Sequence, residues 1–179
     1  MSTPPAPLEV GTIPVPFGWF RVCDSVDLAP GDVHRVDICD RSLVAWRTEA
    51  GEARVADAWC PHLGAHLGVG GHVVGDSLVC PFHGWEFDAE GANCRIPYSE
   101  RTNGRARLAV RPVVERNGFV LAWRHPDPAV APMWEVEEIA EIGDPGWSDY
   151  YSSEYVINTV PQEMMENRDR KSTRLNSSH

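Results

Sequence analysis

The sequence predicts an all-β fold: an antiparallel two-sheet sandwich carrying a lobe of glycine-rich loops, followed by the beginning of a second domain. Three observations predict it. From Trp19 to Trp123 the chain is a series of short β-branched or aromatic runs separated by turn residues, with no internal repeat and no heptads. Within that series, Cys60-Pro61-His62 and Cys80-Pro81-Phe82-His83 are separated by a segment holding Gly64, Gly68, Gly70, Gly71 and Gly75. At His125 the texture changes to Pro-Asp-Pro-Ala-Val-Ala-Pro, a rigid linker and the best domain boundary in the chain.

The elements follow in order. Residues 1–16 carry Pro4, Pro5, Pro7, Pro14 and Pro16, which cannot supply a regular ladder, so they read as an extended arm. Over residues 17–125, strands are predicted near Trp19 to Cys23, Val33 to Ile38, Leu43 to Arg47, Arg54 to Ala58, Leu78 to Val79, Glu86 to Phe87, Leu108 to Val114 and Phe119 to Arg124. Asn117-Gly118, with its preference for positive φ, joins the last two as a hairpin whose loop length Glu115 and Arg116 leave open. Phe119, Leu121 and Trp123 alternate onto one face, which is expected to be core. Residues 126–167 form the linker and the partial second domain. Trp134 to Ile142 supports at most a brief helix, Tyr150 to Ile157 reads as a strand, and Thr159-Val-Pro-Gln162 resembles a capping box opening a helix.

Residues 168–179 read differently. Lys171 is the only lysine, and Asp169 to His179 is what a common sequencing-adapter oligonucleotide would encode. This tail is expected to be an artefact and the natural chain to continue past Asn167. The 179 residues carry 16 basic and 26 acidic side chains, a formal charge of -10, which argues against nucleic acid or an anionic membrane as partner and suits a basic protein. No apolar run approaches a membrane span and the N-terminus lacks the order of a signal peptide, so a cytoplasmic location is expected. Five cysteines, an odd number without an export signal, fit metal ligation or buried thiols better than disulfides.

A thiolate and an imidazole two or three positions apart can both point at a metal from one loop, so two such loops supply four ligands. Zinc fingers group their cysteines in one pair and their histidines in the other. Here each loop offers one of each, which gives one iron two thiolates and the other two imidazoles, the Rieske form of a [2Fe-2S] cluster. A structural zinc module is the bland alternative.

The sequence resembles the Rieske non-haem iron oxygenases through Cys60-Pro-His-Leu-Gly-Ala-His-Leu67, Gly71-His-Val-Val-Gly-Asp76, Cys80-Pro-Phe-His-Gly-Trp85 and Gly91-Ala-Asn-Cys-Arg-Ile-Pro97. The resemblance implies that Cys60 and Cys80 hold the inner iron and His62 and His83 the outer one. It also implies that Trp85 and neighbouring amides orient His83 and donate toward the cluster sulfurs. Respiratory Rieske proteins add a disulfide at positions here filled by Ala65 and Phe82, and a membrane anchor, so this chain looks like an oxygenase or a Rieske ferredoxin. The continuation through Val160-Pro-Gln-Glu-Met-Met-Glu-Asn167 resembles the start of an α+β catalytic domain in the steroid-acting branch, that of 3-ketosteroid 9α-hydroxylases and cholesterol 7-desaturases.

That branch would use O2 on a steroid-like substrate at a mononuclear Fe(II) site held by two His and a carboxylate. Its Asn-x-x-Asp-x-x-x-His motif fails after Asn167, and no histidine lies between Pro126 and Arg168, so mononuclear iron is expected only in the full-length protein and this fragment is not catalytically complete. By the same resemblance a flavin reductase or ferredoxin supplies electrons and the full-length protein is a homotrimer. The rival reading is a free-standing ferredoxin-type electron carrier. Outside the quartet, His66, His34 and His72 read as solvated or backbone-bonded, Cys23, Cys39 and Cys94 as small buried residues, and Trp19, Trp46, Trp59 and Trp123 as core rather than an electron relay. The acidic run Glu135 to Glu141 reads as a solvated face that could help dock a reductase.

Overall fold

The computed structural model describes residues 16–38, 41–148 and 151. Ten strands carry the described part: β1 Gly18–Asp24, β2 Val33–Ile38, β3 Arg41–Arg47, β4 Ala53–Asp57, β5 His72–Val74, β6 Ser77–Val79, β7 Glu86–Phe87, β8 Asn93–Arg95, β9 Val113–Arg116 and β10 Phe119–Arg124. The only helical turn among the described residues is a 3₁₀ turn, Ser25–Asp27, so no helix there is long and apolar enough to cross a membrane. Every pairing within the three sheets is antiparallel. They run β1-β10-β9, β2-β3-β4 and β5-β6-β7-β8.

Strand β3 explains how these sheets share one body. Its run Leu43-Val44-Ala45-Trp46 is buried on both faces, as a strand with a continuous apolar stretch should be. Leu43 and Ala45 join Val55, Val120 and Ala122 in one core, where the β1-β10-β9 sheet meets the β2-β3-β4 sheet. Val44 and Trp46 turn the other way and meet Leu78, Phe87, Ile96 and Leu108 in a second core that also contains Cys60, Cys80 and Trp85. The four-stranded lobe is thereby founded on the back of a sandwich strand. At the sandwich edge Arg47, 7% exposed, donates to the carbonyls of Leu28, Gly51 and Ser25 and makes two 2.9 Å hydrogen bonds to Glu115. Satisfying every face of a buried guanidinium ties β3 to β9.

Several expectations need correction. The core face of β10 is Val120 and Ala122, while Phe119 and Leu121 are only half-buried. Small residues face the closely packed second sheet, and the larger ones face outward, where Arg21 lies over the Phe119 ring at 5.5 Å. Trp123, on that outer side, is buried by Trp19 and Trp134 at ring-centroid distances of 5.5 and 4.8 Å. The strand expected from Leu108 to Val114 is broken: Pro112 has no N–H to donate, Val110 makes a single bridge to Ala56, and regular pairing begins at Val113. Asn117-Gly118 closes a two-residue turn, with φ of 56° and 78° and Arg116 paired to Phe119. β5 and β8 were not expected.

Residues beyond the proline run fold back rather than forming a brief helix. The indole N–H of Trp123 donates to Val130 O, that of Trp19 to Trp134 O, and the Asn117 amide both donates to Glu137 O and accepts from Ile139 N. The first compact unit accordingly extends to Ile139, and a second begins at Ala140. Among its described residues the second unit has neither helix nor strand. The expected strand from Tyr150, save Tyr151, and the capping-box helix lie outside the described residues.

Candidate metal centre

Two loops emerge at the end of the lobe with the same backbone frame. In the first, Cys60 N donates to Ala65 O at 2.8 Å and Gly64 N to Cys60 O at 2.9 Å. In the second, Cys80 N donates to Trp85 O at 2.8 Å and Gly84 N to Cys80 O at 3.0 Å. Each is a Cys-Pro turn closed at the fifth residue by a left-handed glycine, with φ of 70° at Gly64 and 68° at Gly84. The one difference is chemical. Histidine occupies the third position of the first turn, His62, and the fourth of the second, His83. Pro81 Cβ lies 3.4 Å from where a side chain on Gly70 would begin, so the loops lean on each other.

This frame brings together all four residues singled out from the sequence. Cys60 and Cys80 are each 3% exposed. Burial pushes the Cys60 thiol up to about 11, and Cys80 acts in the same direction, whereas the backbone amides of His62 and Leu63 hydrogen-bond to its sulfur and pull the other way. Those amides are donors waiting for a more negative sulfur. The imidazoles of His62 and His83 are half-buried with ring centroids 4.9 Å apart.

The family model of the Rieske [2Fe-2S] domain matches residues 18–112, more than half of the chain. The chain belongs to the Rieske family. The chain is similar to cholesterol 7-desaturase of Xenopus laevis, 44% identical over 85% of this chain and 34% of that protein. It is also similar to the probable 3-ketosteroid-9-alpha-monooxygenase oxygenase component of Rhodococcus rhodochrous, 35% identical over 89% of this chain and 41% of that protein. The chain thus spans a third to two-fifths of these curated relatives. Among solved structures, dicamba monooxygenase bound to dicamba aligns with a TM-score of 0.59 at 28% identity, over 68% of this chain and 36% of that one. The reduced oxygenase–ferredoxin complex of carbazole 1,9a-dioxygenase aligns at 0.52 and 26%, over 59% and 28%.

A Rieske domain binds a [2Fe-2S] cluster, and the residues present fit one. His83 Nδ1 is buried without any hydrogen-bond partner among the described residues, an arrangement that is costly unless something binds the nitrogen. Among the described residues no three His, Cys, Asp or Glu side chains are arranged to hold a single metal ion. Tetrahedral zinc would require all four donors around one point, whereas each iron of a binuclear cluster asks for two. The described cysteines are all free thiols, and Ala65 and Phe82 leave the loops without a cross-link.

Trp85 does something other than expected. Its ring stacks on His62, not His83, at 4.4 Å and 6°, and its N–H donates at 2.6 Å to the Tyr98 hydroxyl, away from any sulfur. Phe82 is the ring beside His83, at 4.0 Å and 33°. His66 is bonded to backbone: Nδ1 accepts from Gly68 N, so Nε2 carries the proton and donates to Ser42 Oγ, which donates to Asp37. That chain moors the first loop to β2 and β3, and it holds the Asp37 carboxyl below its ordinary range, chiefly through Ser42. His34 is half-buried and His72 exposed. Cys94 is exposed beside Ser77 rather than buried, and Cys39 lies outside the described residues. Trp59 is 55% exposed, packed edge-on against His66 instead of joining the core, while Trp46 and Trp123 are core and Trp19 is half-buried.

Proposed function

We propose that Cys60 and Cys80 hold one iron of the cluster and His62 and His83 the other, and that this chain is the electron-transfer portion of a non-haem iron oxygenase acting on a steroid-like substrate. The observation that carries the assignment is the pair of matched turns, which bury both thiols and bring two imidazoles within 4.9 Å of each other. Held by these four residues, a cluster would supply one-electron redox chemistry. The chain's own residues exclude water from the thiolate end by burying both cysteines. They also offer backbone amides to the Cys60 sulfur and keep both imidazoles at the more open end of the site.

The substrate class rests on the likeness to the two steroid-acting relatives. The mononuclear iron and its O2 chemistry belong to the remainder of a longer parent protein, with residues 126–167 as the linker and opening of its catalytic domain. A ferredoxin, as in the carbazole dioxygenase complex, or a flavin reductase is the electron donor, and the parent assembles as a homotrimer in the cytoplasm. The test is Cys80→Ser in the 179-residue chain reconstituted anaerobically with iron and sulfide. The parent is expected to be coloured, to bleach on reduction and to hold two irons, and the variant to lose the cluster. A variant retaining two irons and the parent spectrum refutes the assignment, and a colourless parent that takes up zinc alone refutes the cofactor.

A further inference from the structure

The tyrosine at the lobe surface has no part in holding the metal, yet it is coupled to one of the proposed ligands. Tyr98 is 65% exposed, but its hydroxyl oxygen accepts the indole N–H of Trp85 at 2.6 Å. Trp85 is 6% exposed and lies face to face on His62. Three rings therefore form a line from solvent to an imidazole. The line is braced at two points. Trp85 O receives the Cys80 amide that closes the second loop, and Pro97, next to Tyr98, occupies the space beside Gly84. Trp85 belongs to the second loop and His62 to the first, so the stack is also a bridge between the loops.

We infer that Tyr98 is a positioning residue that holds the Trp85 ring against His62 and thereby keeps the reduction potential of the centre low. This rests on His62 being an iron ligand. Two effects act in the same direction. The electron-rich face of an indole favours a more positive neighbour, and the imidazole end of the centre is more positive when oxidised, so the stack stabilises the oxidised form. With two thiolates and two neutral imidazoles the oxidised cluster is formally neutral and the reduced one singly negative. A dry ring over the site withholds the water that would favour the charged, reduced form. Removing the hydroxyl leaves the indole N–H without its acceptor beside a nearly buried ring, which loosens the stack and removes both effects.

The test is Tyr98→Phe in the reconstituted 179-residue chain, read by redox titration and by electron paramagnetic resonance of the reduced centre. Two irons are expected to be retained, with the reduced-to-oxidised ratio at a fixed poise raised about fivefold, an upward shift of about 40 mV for a one-electron couple. Trp85→Phe keeps an aromatic ring but has no N–H, so adding Tyr98→Phe to it is expected to give no further shift. An unchanged potential and unchanged resonance in Tyr98→Phe overturn the inference, as does a Tyr98→Phe shift that persists undiminished in the Trp85→Phe background. A parent chain with no Rieske resonance at all fails the ligand assignment instead, as does a Cys80→Ser variant that keeps the parent resonance.

Discussion

Gly64 and Gly84 occupy the same position in the two matched turns, with φ values two degrees apart, so substituting each by alanine is an internally controlled experiment. At both sites a side chain must adopt the left-handed region, which costs about 1–2 kcal/mol. Beyond that the sites differ. A Cβ on Gly64 meets nothing within 4 Å, whereas on Gly84 it falls 2.9 Å from Pro97 Cγ, well inside the ~3.5–4.0 Å at which carbons rest. Pro97 cannot easily retreat, because Ile96 before it is buried in the lobe core and Tyr98 after it is bonded to Trp85. Overpacking of this kind adds about 1–3 kcal/mol. Gly64→Ala should therefore cost about 1–2 kcal/mol and Gly84→Ala about 2–5 kcal/mol, measured as shifts of the urea midpoint at unchanged m-value. Equal losses, or a larger loss for Gly64→Ala, would show that the 96–98 segment does not brace the second loop.

Two further outcomes follow from the ionisable groups. Hydrogen bonds from Arg47 hold the Glu115 carboxyl below its usual range against a smaller opposing effect of burial. Stability from this pair is present above the unfolded-state value of about 4.3 and is lost as pH falls through the lower folded value. Glu115→Gln should therefore be less stable than the parent at pH 7, by about 1 kcal/mol because the carboxylate is 38% exposed, with the gap closing toward pH 3. Urea midpoints across that range check it, and a gap unchanged at pH 3 contradicts it. In the cluster-free chain at pH 8, a Cys60 thiol raised to about 11 is thiolate in roughly one molecule in a thousand, so alkylation read by mass spectrometry should reach exposed Cys94 at least about tenfold faster. Equal labelling would mean that Cys60 is not buried without the cluster.

What the sequence reveals depends on whether the signal is local. The proposed donor quartet is legible because loop ligands are spaced by covalent geometry, and the matched turns that present it are written in the repeated Cys-Pro and in Gly64 and Gly84. β2, β3 and β10 are long enough for their residues to announce them. The short β6 and β7 are legible in Leu78-Val79 and Glu86-Phe87 but β5 and β8 are not, although Val74-Gly-Asp-Ser77 is a recognisable two-residue turn, with φ of 60° at Gly75. The inverted reading of β10 has a different origin. Alternation identifies two faces but not which covering layer each receives, and here Trp134 and Val130, beyond the strand, cover Trp123. The role of Trp85 was hidden for the same reason, since its stacking partner is in the other loop. The moorings of His66 and Tyr98 are likewise contacts between elements, and nothing in their immediate neighbours foretells them.

The return of the segment after His125 across the first sheet sets a tether length. Were the fourteen residues from Pro126 to Ile139 loose, they could reach about 46–50 Å in extended form. Held instead by Trp19, Asn117 and Trp123, they release the polypeptide at a fixed exit beyond Ile139. Whatever a longer chain attaches there starts its search from a defined anchorage, with a much smaller volume to explore.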